Sequence, residues 1–224
     1  MTSDYILKSA CGLLFIGLVA GLIGQIELMK PGIMFLSEAA WVPILKLHIW
    51  ATSISLCVIC AFTLPLLRRK ITVGYWIVWG AAAVLPLLIG LVLQLMLSTA
   101  VAGSFLHDSV YATANWHAFG VVGLSIALGG ISAWQKMKGK SVPLKITIPI
   151  AILVSLSTII FIIAQARLGV YGMPRRYVDY PEAFAQLQFV VSLSAIICVS
   201  LAGLYLVLLW RRPDERAAYL DDVF

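Results

Sequence analysis

The chain has 224 residues, 62% of them hydrophobic and only 12% charged, with a mean hydropathy of +1.00. That is far too apolar for a soluble globular domain of this size, so soluble-enzyme and nucleic-acid-binding classes fall away and an integral membrane protein is expected. The formal charge of +6 is then read first as an orientation signal, not as the mark of a polyanion partner.

Apolar runs between charged or Pro/Gly breaks predict six spanning helices, at roughly 6–28, 40–67, 71–99, 109–134, 144–166 and 183–210, forming an all-α bundle in a single membrane domain. The first run carries Lys8 and is followed by no small-residue cleavage pattern, so it is expected to be a retained helix and not a removed signal. Lys30-Pro31-Gly32 ends it. Arg68-Arg69-Lys70 separates the second and third spans, Phe105-Leu106-His107-Asp108 the third and fourth, and a lysine-rich stretch from Lys136 to Lys145 the fourth and fifth. Gly172-Met173-Pro174-Arg175-Arg176 precedes the sixth, and a short charged tail follows it. Trp41, Trp134 and Trp210 fall near helix ends, where interfacial anchors belong. Cys11, Cys57, Cys60 and Cys198 all lie in apolar runs and read as small core residues; the Cys57-x-x-Cys60 spacing inside such a run reads as packing before metal or redox chemistry.

Lysine and arginine divide unevenly between the two faces. The face holding the N-terminus, the second and fourth loops and the C-terminus collects Lys8, Arg68, Arg69, Lys70, Lys136, Lys138, Lys140, Lys145, Arg211, Arg212 and Arg216, eleven of the sixteen. Lys30, Lys46, Arg167, Arg175 and Arg176 fall on the other. Both termini are therefore expected to be cytoplasmic, in the inner membrane.

Ionisable or metal-binding side chains inside a span are costly and mark function, which singles out two of the three histidines. His48 lies in the second span and His117 in the fourth, each about seven to nine residues past its helix start and so roughly 10–13 Å below the outer surface. Two imidazoles at one level on two helices can clamp a porphyrin iron from both faces; each could also be an interhelical hydrogen-bond partner. Arg175 and Arg176 put two adjacent positive charges on the outer face, where guanidinium groups would pair haem propionates or, equally, lipid headgroups. His107 and Asp108 lie together in the short loop before the fourth span, where they could contact a propionate, hold a hydrated divalent ion or cap the helix; spacing favours a cap by Asp108.

At these residues the chain resembles subunit I of the haem-copper (cytochrome c) oxidases. The run from Gly172 through Met173, Pro174, Arg175, Arg176, Tyr177, Val178, Asp179, Tyr180, Pro181, Glu182 and Ala183 to Phe184 resembles the family's loop between its last two helices. Leu106-His107-Asp108 followed by Asn115-Trp116-His117 resembles the family's L-H-D and H-F-H segments on its tenth helix. The surroundings of His48 resemble its second helix, and Gln25-Ile26-Glu27-Leu28-Met29-Lys30-Pro31-Gly32 the end of its first. In order, the spans resemble family helices one, two and nine to twelve, a shortened form lacking the six central helices that carry the copper histidines.

The resemblance implies a cofactor and a role. His48 and His117 match the axial ligands of the low-spin haem, and Arg175 and Arg176 the pair that holds its propionates. The ligand position of the oxygen-reducing haem is Asn115, a poor iron ligand. With three histidines no complete copper site is expected. Gln25 replaces the arginine that meets the formyl group of haem A, so a b-type haem is favoured. Glu27 matches a residue near an ion site, on which nothing is claimed. The implied function is that of a bis-histidine cytochrome passing single electrons within a respiratory complex, beside other membrane subunits and lipid. Its electron partner would be an outer-face copper or c-type cytochrome, with quinol a further possibility. Two other readings stay open: a non-redox structural or assembly subunit, and a component of an active oxidase whose copper site comes from another chain.

Overall fold

The computed structural model describes residues 2–29, 36–99, 105–174 and 180–211. Among them are six long helices: α1 (Thr2–Glu27), α2 (Glu38–Thr63), α3 (Val73–Leu97), α4 (Val110–Met137), α5 (Leu144–Val170) and α6 (Ala185–Arg211). All six are long and apolar enough to cross a membrane, and the chain is a multi-pass helical membrane protein. In hydrocarbon the backbone must satisfy its own polar groups, and runs of this length do so as uninterrupted helices.

The helix ends show why the chain turns where it does. The second α-helix stops at Thr63, short of the expected boundary, because Pro65 opens a tight 3-10 turn at Leu64–Arg68. Two glycines close α4 and α5 in the left-handed conformation, Gly139 at φ 74° and Gly172 at φ 87°. In each case the two residues after the cap bond back into the last turn: Gly139 N to Lys136 O and Lys140 N to Gln135 O, then Gly172 N to Gly169 O and Met173 N to Leu168 O, all at 2.9–3.1 Å. At the start of α4 the cap is Ser109, whose hydroxyl accepts from Tyr111 N at 3.2 Å. Asp108, expected from spacing to cap this helix, lies one residue too early, in the turn before it.

Helices α1, α2, α4, α5 and α6 pack in a closed ring, each against the next and α6 back against α1, while α3 lies against the outside of α4 and α5. Asp4 pairs with Lys138 across the bundle, which puts the start of α1 and the end of α4 on one face. On the other face Tyr180 Oη donates to Leu28 O at 2.9 Å, and Val110 N donates to Met173 O at 2.9 Å beside a bridge between Ser109 and Pro174. Within the bundle, Tyr205 Oη meets Ser132 Oγ at 2.8 Å and Thr147 Oγ1 at 3.2 Å, joining α4, α5 and α6. Cys11 and Cys198 are buried as expected of core residues, but Cys57 is exposed and Cys60 only half-buried, since that edge of α2 faces out of the bundle.

Small residues set the closeness of the helices. Gly169 on α5 rides on the backbone of Tyr111 on α4, where an added Cβ would fall 2.6 Å from Tyr111 Cα. Backbone atoms cannot move aside, so Gly169→Val is expected to cost about 3 kcal/mol, the upper range for overpacking, whereas Gly12→Ala, with nothing within 4 Å, should change stability by less than about 0.5 kcal/mol. Thermal unfolding of the detergent-solubilised protein checks both.

Candidate functional site

The two histidines meet inside the helix ring. His48 projects from α2 and His117 from α4, with ring centroids 6.4 Å apart and planes tilted by 52°. Their distances from the helix starts differ, since His48 is ten residues into α2 (from Glu38) and His117 seven into α4 (from Val110). The counts differ because α2 begins about two residues earlier than its apolar run suggests and α4 about one later, yet the rings are in contact.

Each ring is fixed through the same nitrogen. His48 Nδ1 lies 2.8 Å from Gly17 O on α1, and His117 Nδ1 lies 2.8 Å from Gln165 Oε1 on α5. Both partners are carbonyl oxygens that can only accept, so both Nδ1 atoms carry the proton and donate. In a neutral ring this tautomer puts the lone pair on Nε2, the nitrogen through which the imidazole would bind a metal. Phe161, one turn before Gln165 on α5, stacks obliquely on His117 with ring centroids 5.0 Å apart.

Glycine explains how a helix carbonyl can serve His48. The carbonyl of residue 17 already accepts within α1 and points toward residue 21, where a side chain would cover its second lone pair. Gly21 has none: a Cβ there would lie 2.5 Å from His48 Nδ1 and 2.6 Å from Cε1. At Gly17 a Cβ would fall 2.8 Å from Thr52 N, so the backbones themselves touch. This Gly17-x-x-x-Gly21 spacing, a familiar device for close helix contact in membranes, is a signal the sequence carries for the site beyond its histidines. Gln165 carries only one such signal, an amide in an otherwise apolar span.

The other expected site residues fall elsewhere. Arg175 and Arg176 lie outside the described residues. His107 and Asp108 are exposed in the turn before α4, and no group of three or more His, Cys, Asp or Glu side chains able to hold a metal ion occurs among the described residues. Asn115 is buried, and its Nδ2 donates to Gln94 Oε1 on α3 at 2.6 Å, so its amide is turned to α3. Glu27 is buried near the end of α1 and accepts from Leu36 N at 3.0 Å.

The donor set suits a haem. The two imidazoles are the donor type that holds haem iron, and their centroids, 6.4 Å apart, are close enough for one metal ion to reach both rings. Gln25, one turn along α1 from Gly21, has a buried Oε1 with no partner among the described residues, an orphaned polar atom of the kind that a bound polar group satisfies.

No protein-family model matches the chain. Among curated proteins it is similar to cytochrome c oxidase subunit 1 of Cereibacter sphaeroides, 34% identical over 123 residues that cover 53% of this chain and 21% of that protein. It is also similar to cytochrome c oxidase subunit 1 of Albinaria turrita, 25% identical over 135 residues that cover 59% of this chain and 69% of that protein. The chain thus spans about a fifth of the length of the first relative.

The tautomers are directly testable. Nitrogen NMR of histidine-labelled protein is expected to show a protonated, hydrogen-bonded Nδ1 at both His48 and His117. Gly21→Val should abolish the protected His48 Nδ1–H signal and leave that of His117, because the added side chain occupies the place of the His48 ring.

Proposed function

Starting from a chain that is cytochrome c oxidase subunit I-like over about half its length, we propose that it is a membrane cytochrome binding one low-spin haem between His48 and His117. The observation that carries this reading is the close pair of imidazoles, 6.4 Å apart by centroid, each with Nδ1 engaged by a carbonyl oxygen of a neighbouring helix. When bound, the haem supplies reversible one-electron transfer, and with both axial positions filled it offers no open site for oxygen.

The protein's part is to hold, orient and insulate. Gly17 O and Gln165 Oε1 keep the two rings from turning and keep the proton on Nδ1, so each Nε2 is presented without rearrangement. Phe161 and the surrounding apolar helices exclude water on the α5 side, which limits solvent reorganisation as charge changes. Both Nδ1 acceptors are neutral, so no buried carboxylate adjoins either ring through these bonds. Arg175 and Arg176 are proposed as propionate partners: Pro174, which precedes them in the chain, is bridged to Ser109 at the start of α4, on the face toward which His117 is displaced from the middle of its helix. His107 and Asp108, in the turn on that same face, are proposed as further contacts to a propionate or a hydrated ion. A b-type haem is favoured because Gln25 stands where the family has an arginine.

The cytochrome is placed in the inner membrane with both termini cytoplasmic, the arrangement favoured by the lysine and arginine count. It passes electrons within a respiratory complex, without copper of its own, between its neighbours and an outer-face copper or c-type cytochrome; quinol is an alternative donor. The competing structural-brace reading accounts for the two interhelical Nδ1 bonds but not for the meeting of the two rings.

Spectroscopy of the purified protein tests the proposal. A sharp reduced-minus-oxidised alpha band is expected, and His48→Ala and His117→Ala should each abolish it. Protein that is colourless when made in haem-replete cells would sink the reading, and a carbon monoxide shift in the native spectrum would show an axial position to be open. Pyridine haemochrome assigns the haem type.

A further inference from the structure

We infer that Gln165 is a positioning residue that sets the midpoint potential of the haem through His117; this rests on the reading of His48 and His117 as axial ligands. Gln165 is 5% exposed and reaches from α5 to His117 on α4 with a bond of 2.8 Å between Oε1 and Nδ1. One turn away, Phe161 covers the same ring. The acceptor is therefore held in a dry, crowded setting where a hydrogen bond is electrostatically stronger than in water and cannot be replaced by solvent.

Oxidation of the iron removes one electron from the site and draws density from each imidazole, so Nδ1–H becomes a stronger donor in the ferric state. A stronger acceptor at Nδ1 consequently stabilises ferric over ferrous iron and lowers the potential; a missing acceptor raises it. The amide carbonyl of Gln165 is a neutral acceptor of intermediate strength. It takes no proton, so Nδ1 stays protonated in both redox states and the transfer at this ligand involves the electron alone. His48 has the same kind of acceptor in Gly17 O, but that oxygen belongs to the main chain and no side-chain substitution alters its character. Of the two Nδ1 partners, Gln165 is the one whose chemistry the sequence can tune.

The experiment is a spectroelectrochemical titration of the intact protein at one pH, comparing wild type with Gln165→Glu, Gln165→Met and the control Gln188→Met. Gln188 is a buried amide on α6 bonded to Ser192 Oγ and touches neither histidine ring. Gln165→Glu places a charged acceptor of the same length at Nδ1, and the ferric state should gain at least about tenfold, a fall of about 59 mV for a one-electron couple. Gln165→Met keeps the volume and removes the acceptor, and the equilibrium should move the opposite way by about threefold or more. Electron paramagnetic resonance should report bis-imidazole ligation throughout, and Gln188→Met should match wild type. Shifts of opposite sign support the inference, because mere loosening of the packing would move both variants in one direction. Shifts of the same sign, or none beyond threefold with bis-imidazole ligation intact, overturn it. Should the Glu variant fail to accumulate, absence of a rise in Gln165→Met overturns it alone. Wild-type protein lacking haem removes the underlying reading and this inference with it; wild-type haem with an unmoved potential in the variants removes this inference only.

Discussion

Everything at the centre of this bundle depends on how closely α1 approaches α2. A helix in hydrocarbon ordinarily keeps its carbonyls to itself, each screened by the side chain four residues on. Gly21 leaves that position bare over residue 17, and Gly17 lets the backbone of Thr52 come into direct contact. A main-chain oxygen thereby becomes a fixed acceptor inside the bundle, and His48 turns to meet it. Without that anchor the imidazole on α2 would have to seek another hydrogen-bond partner, since an unpaired donor in an apolar interior is expensive. The site is thus specified by the absence of two side chains as much as by the presence of one.

The second ring is anchored by different means. His117 lies on α4, and its acceptor is a side chain on α5, that of Gln165, instead of a main-chain carbonyl. Ring orientation is then coupled to two separate neighbours, α1 for His48 and α5 for His117, and both neighbours are themselves tied down. Asp4 and Lys138 join α1 to the end of α4 on one face. Tyr180 and Leu28 join the end of α1 to the approach to α6 on the other. The histidines sit between these ties, where rigid-body drift of one helix would have to break a polar contact at an end before it could separate the rings.

What could be read from the sequence divides along physical lines. The number and type of elements were plain because a bilayer imposes length and apolarity on every span, so the six runs could hardly have been anything else. The two histidines were equally plain, being rare residue types in those spans. Their meeting was less so: counting from expected starts gave matching depths, but the true starts differ, and only the contact between rings removes the ambiguity. Acids favour helix starts, which points to Asp108 as the cap, yet Ser109, equally suited, lies one residue nearer. Cys57 and Cys60 read as core by hydropathy, which in a membrane protein does not separate lipid-facing from bundle-facing residues. The partners of the rings escaped notice for a related reason. Glycine and glutamine have many uses in a membrane helix, and their purpose appears only when the neighbouring helix is in place.

Asn115 shows how a local polar pattern can be diverted from the site altogether. It stands two residues before His117, about 200° around the helix, so it faces away from the ring pair by geometry alone. There it is buried against α3 and bonded to Gln94, an interhelical amide pair of the sort that fastens transmembrane helices. Helix α3 lies outside the ring that surrounds the histidines, and this bond helps to hold it there, alongside the close fit of Gly90 against Ala118 and of Gly129 against Trp79. One turn of α4 therefore serves two unrelated ends: its inward edge presents His117, while its outward edge grips a helix that takes no part in the imidazole pair.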